Sequence, residues 1–134
     1  MPAFVEWYKE DEGVLVLRME APLTWDEYHQ AVDAMDEIAN KRTARFDVIN
    51  LTNSAPPKGN PVPHFQRLDK IANKHAQLGL VVTVNPLHSN VIVRTLTSLF
   101  AMRQMNLAKN AFAPTLEEAY ARIQEHRHNT APTT

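Results

Sequence analysis

Cysteine is absent from this 134-residue chain and glycine is scarce, with three. The first absence removes disulfides, thiolate metal sites and thiol nucleophiles together. Gly13, Gly59 and Gly79 are too few and too scattered to build a dinucleotide fingerprint or a phosphate-binding loop. Neither sign of charge dominates: 14 Lys and Arg stand against 15 Asp and Glu, a formal net charge of −1. That balance excludes a global attraction to nucleic acid or anionic lipid. No window approaches the roughly 18–20 apolar residues of a membrane span. The first twelve positions carry Glu6, Lys9, Glu10, Asp11 and Glu12 where a secretory signal would have an apolar run. The serine elbow of hydrolases, Gly-x-Ser-x-Gly, is missing too. The expectation is one cytoplasmic domain over 1–127 with a disordered tail over 128–134, no enzymatic activity and no cofactor.

What is present is an order of segments. The aromatic and β-branched run Phe4–Glu10, the turn residues Asp11-Glu12-Gly13 and the apolar run Val14–Met19 predict an antiparallel hairpin. Thr24 with Glu27 has capping-box spacing and opens a helix whose inner face is Tyr28, Ala31, Val32, Met35 and Ile38. Asp26, Gln30, Asp33 and Glu37 face outward. Phe46–Leu51 reads as a strand, and the proline-rich loop from Thr52 to Pro63 leads to a second helix over His64–Gln77. Phe65, Leu68, Ile71 and Ala72 point inward from that helix, and Gly79 ends it. Leu80–Val84 is a strand buried on both faces. Ser89 opens a third helix to about Asn106, Ala111–Ala113 is a brief strand, and Thr115 with Glu118 starts the closing helix. The fold class is α/β: a mixed, mostly parallel five-stranded sheet in the order ββαβαβαβα, with an antiparallel N-terminal edge hairpin and four helices.

Six histidines raise the question of a metal. His64 and His75 share a face of the second helix but stand about 16 Å apart, too far to share an ion. His126 and His128 straddle a fraying end, His88 has no partner in sequence, and His29 has Asp26 and Asp33 one turn either side in a solvated ion-pair cluster. No metal site is expected. The third helix is more apolar than one sheet-facing stripe requires. Arg94, Leu99, Met102 and Arg103 mark a face for either a homodimer or a small apolar ligand, a lipid or fatty acid, held between that helix and the sheet.

The segment order resembles the STAS domain, and in particular its SpoIIAA-like branch. The resemblance is carried by Phe46-Asp-Val-Ile-Asn-Leu-Thr52, by Gly79-Leu-Val-Val-Thr-Val-Asn85 and by Ala111-Phe-Ala-Pro-Thr-Leu-Glu-Glu-Ala119, and extends from about Phe4 to Glu125. It implies a protein-interaction module, regulatory in role, in which a serine after the third strand is phosphorylated. Ser54 stands nearest that position, preceded by Asn53 instead of aspartate and followed by Ala-Pro-Pro. An ordinary loop serine is therefore the plainer reading of Ser54, and a phosphosite the other. The partner surface expected is Asn53, Ser54, Pro57 and Lys58 in the loop, with His64 and Arg67 at the start of the second helix. A carrier of a small apolar ligand is the alternative function. Pro57→Gly should loosen the loop and weaken partner binding, with the melting temperature nearly unchanged; equal losses in binding and melting temperature would make the loop merely structural.

Overall fold

The structure, a computed structural model, describes residues 3–8, 11–19, 24–52, 59, 62–84 and 110–130. Within them lie five strands, β1 (Ala3–Tyr8), β2 (Asp11–Met19), β3 (Phe46–Thr52), β4 (Leu78–Val84) and β5 (Asn110–Ala113). Three helices accompany them: α1 (Trp25–Lys41), α2 (Val62–Lys74) and α3 (Leu116–Thr130). The strands form one sheet in the order β1-β2-β3-β4-β5. Only β1 and β2 pair antiparallel; the other neighbours are parallel. The α/β class and the edge hairpin follow the sequence expectation. The helix expected over 89–106 lies outside the described residues, so three helices are described, not four.

Alternation along the inner strands sorts the core into two layers. Leu15, Leu17, Met19, Phe46 and Val48 pack beneath Tyr28, Val32 and Met35 of α1 and Phe65, Leu68 and Ile71 of α2. Val14, Val16, Ile49, Leu51, Val82 and Val84 face Ala119 and Ile123 of α3. The sheet is thus buried on both sides, which is why β2, β3 and β4 read as nearly continuous apolar runs. Thr24 caps α1, its hydroxyl accepting from Glu27 N at 3.2 Å, and Thr115 caps α3 by accepting from Glu118 N at 3.1 Å. Ile38 is only partly buried and Ala39 takes its place in the core.

Several boundaries differ from those expected. Asp11, Glu12 and Gly13 begin β2, with Asp11 paired to Tyr8, so only positions 9 and 10 separate the strands. Helix α2 starts at Val62 and takes Pro63 into its first turn, where a missing N–H costs nothing. It stops at Lys74, three residues before the expected Gln77, which instead donates through Nε2 to the Ala39 and Arg42 carbonyls at the end of α1. Helix α3 continues past His128 to Thr130.

Gly79 ends no helix; it is the second residue of β4. The β3–β4 ladder pairs Phe46 with Leu78 and then Val48 with Val81, so Asp47 is opposed by two residues, Gly79 and Leu80. The fully buried Asp47 carboxylate reaches across this irregularity and accepts from Leu80 N at 2.7 Å. Arg127 of α3 donates to its other oxygen at 2.7 Å, and Arg45 to the first at 3.1 Å. Glycine is required by this approach: a Cβ at position 79 would stand 2.3 Å from Asp47 Oδ1 and 2.7 Å from Arg45 Nε. Gly79→Ala should therefore destabilise the fold by about 1–3 kcal/mol, the usual cost of overpacking. In an Asp47→Ala background the same change should cost less, because the closest colliding atom is gone and Arg45 loses the carboxylate that holds it against position 79. Urea unfolding of the double-mutant cycle checks this, and additive costs would show that the contact is not the cause.

Candidate functional site

The carboxyl ends of the parallel strands form one edge of the sheet, where β2 and β3 each hand over to a helix. Here α1 follows β2 and α2 follows β3, so the first turns of both helices sit at that edge. Trp25 is the first residue of α1 and His64 the third of α2. Their rings stack, with centroids 3.8 Å apart and planes 9° from parallel. Tyr28 and Phe65 complete the aromatic group edge-on to Trp25 at 5.4 and 6.2 Å. Gly59 at φ 107° comes close to the indole; a Cβ there would lie 3.9 Å from Trp25 Nε1.

The polar half of the cluster has a direction. Arg67 Nη1 lies 2.9 Å from His29 Nδ1, and its Nη2 pairs with Asp33. A guanidinium can only donate, so His29 Nδ1 is the acceptor and its proton resides on Nε2. That proton is donated to His64 Nδ1, 2.6 Å away. The proton of His64 is in turn left on its own Nε2. Three links thus run from Asp33 through Arg67 and His29 to His64, spanning α1 and α2. The arrangement does not suit a cation. A metal on His29 Nε2 would need Nδ1–H turned toward an acceptor, and Arg67 is a donor. No group of three or more His, Asp or Glu among the described residues could hold a metal ion.

Both histidines have pKa values below the ordinary 6.5. For His29 the largest cause is burial, followed by the Arg67 and His64 charges, opposed by Asp33 and Asp26. For His64 the cause is burial beside the indole. Tyr28 has its pKa raised, chiefly by burial, and its hydroxyl has no hydrogen-bond partner among the described residues.

Two of the residues expected at a partner surface, His64 and Arg67, are brought together here. Asn53, Ser54, Pro57 and Lys58 lie outside the described residues, as do Arg94, Leu99, Met102, Arg103 and His88. Trp25 and His29 were not picked out as site residues from sequence, because nothing in a linear reading joins positions 35 residues apart across two helices. His29 is no isolated one-helix cluster, since Asp33 pairs with α2. Of the remaining histidines, His75 follows α2, is buried and pairs with Asp36 at 2.6 Å. His126 sits within α3, not at a fraying end, and Arg45 Nη2 lies 2.8 Å from its Nδ1. A shallow depression of about 550 Å³ beside Ala39, Arg42, His75 and Gln77 lies at the far ends of α1 and α2, where these side chains already serve the helix ends. Among the described residues no helix is long and apolar enough to cross a membrane. Compared with protein-family models, curated proteins and solved structures, the chain matches none.

The lowered histidine pKa values have a definite sign in stability. Unfolded histidines bind protons near pH 6.5 while the folded ones do not, so stability from this cluster is present above about pH 6.5. It is lost as pH falls through the lower folded-state values. Imidazole nitrogen NMR should find His29 and His64 neutral at pH 7, each protonated on Nε2. Arg67→Gln should raise the His29 pKa by removing a neighbouring positive charge; an unchanged value would break the assigned chain of donors.

Proposed function

We propose that this chain is a non-enzymatic protein-interaction module of the STAS type, from the SpoIIAA-like branch, regulatory in role and cytoplasmic, forming a homodimer. Its partner-binding surface is the face formed by the first turns of α1 and α2. The carrying observation is the cluster itself: Trp25 stacked on His64, with His29 and Arg67 locked to it, partly exposed at the carboxyl ends of β2 and β3. Tryptophan and arginine are the residue types that dominate binding energies at interfaces, because each offers a large contact area with a polar edge. Holding them in one geometry before contact reduces the ordering cost of association. The segment order and the mixed sheet with one antiparallel edge strand support the STAS reading.

Cross-linking and affinity capture from the native host, with wild type beside His64→Ala and Arg67→Ala, tests this. One discrete partner should be recovered by wild type and lost from both variants, with melting temperatures within a few degrees. Substitution of Glu37 and Lys41, a solvent-exposed pair on α1, should leave capture intact. A partner retained equally by all variants would remove the α1–α2 face from the interaction.

A further inference from the structure

We propose that His64 Nε2–H and the Arg67 guanidinium form a docking point for a carboxylate, the side chain of an aspartate or glutamate on the protein partner. The inference rests on the interaction reading above and adds the chemistry of the occupant.

The donor chain ends at His64. Its Nδ1 is filled by His29, its ring is packed on Trp25, and its Nε2–H has no hydrogen-bond partner among the described residues. Arg67 is three residues further along α2 and so shares the same face. Its side chain remains 38% exposed, and its two contacts among the described residues use two of its five N–H groups. Asp33, which balances it, is itself 61% exposed, so their attraction is mostly screened by water. The first turn of α2 contains no acidic residue. This part of α2 therefore presents donors and one weakly compensated positive charge.

An occupant that only accepts, has two oxygens and bears one negative charge matches that set. One carboxylate oxygen takes the His64 proton, while the guanidinium charge one turn along the same helix face attracts the anion. An amide carbonyl would gain the first bond without the charge. A phosphate dianion would face one cation with Asp26 and Asp33 one turn either side of His29, and is the poorer match. Protonated His64 would hold a carboxylate more strongly still, at the expense of the bond from His29. Binding therefore raises the His64 pKa and strengthens as pH falls, against the opposing charge of Arg67 and with the support of Asp33 and Asp26.

The test is imidazole nitrogen NMR on the full chain during titration with three probes: the blocked tripeptide acetyl-Ala-Glu-Ala-amide, its Gln counterpart, and acetate. The Glu peptide should shift His64 Nε2 saturably and raise the His64 pKa, while the Gln peptide does neither. Arg67→Gln should weaken the Glu peptide by about tenfold, the effect of one hydrogen bond to a charged group, and Arg67→Lys should recover part of it. Equal responses to Glu and Gln, an undiminished response in Arg67→Gln, or no response at His64 would overturn the proposal. Acetate binding as tightly as the Glu peptide would also overturn it, in favour of a free small carboxylate. Partner capture that persists without any Glu response would leave the interaction reading standing and remove only the carboxylate. A Glu response without a captured partner would do the reverse.

Discussion

The carboxylate of Asp47 is the constraint on which the rest of this sheet is arranged. A buried carboxylate is costly unless its charge is balanced and its lone pairs are used. Asp47 meets both conditions by joining segments far apart in sequence: the N–H of Leu80 in the neighbouring strand, Arg45 just before β3, and Arg127 near the end of the closing helix. Arg127 also donates to the Gly13 carbonyl at 2.7 Å, which adds the start of β2. One side chain thereby sets the β3–β4 register, absorbs the extra residue in β4 and anchors α3 across its own face of the sheet. Apolar burial supplies the larger driving force, but it is non-directional and would tolerate a slipped register. Asp47 supplies direction.

The two edges of the parallel sheet consequently differ. At the amino ends of the strands, the charges are spent on one another in the Asp47 network, and Gln77 and His75 occupy the ends of α1 and α2 in the same way. Such groups rigidify the fold and leave little for an outside molecule. At the carboxyl ends, the chain from Asp33 to His64 stops at a donor with no partner among the described residues, beside a stacked indole. The two edges thus differ in how fully the polar groups of the described residues are paired with one another.

The fold was legible where a residue's role depends on near neighbours in sequence. Thr24 with Glu27 and Thr115 with Glu118 announce helix starts because capping acts over three residues. The Val-rich runs of β2 and β4 announce burial on both faces because strand periodicity is local. Gly79 was misread for the complementary reason. Its requirement comes from Asp47, more than thirty positions away, and a glycine before an apolar run looks the same whether it stops a helix or accommodates a bulge. The site divides similarly. His64 and Arg67 could be placed on one helix face, but their connection to His29, Asp33 and Trp25 exists only after α1 and α2 pack side by side. Asp33 was read correctly as outward-facing, yet a solvated position in one helix can still be within reach of the next.

The polarity of the histidine pair depends on one residue that never changes its protonation. Two neutral imidazoles in contact can each act as donor or acceptor, so alone they would exchange between two proton arrangements. Arg67 removes that freedom by presenting N–H groups to His29 Nδ1. Every later choice in the chain follows: the proton of His29 is directed at His64, and that of His64 is directed away from the pair. Lysine in place of Arg67 would keep the charge but lose the planar fork that serves His29 and Asp33 together. Which nitrogen of His64 carries the proton is therefore decided one turn along α2, by an arginine that pairs with an exposed aspartate.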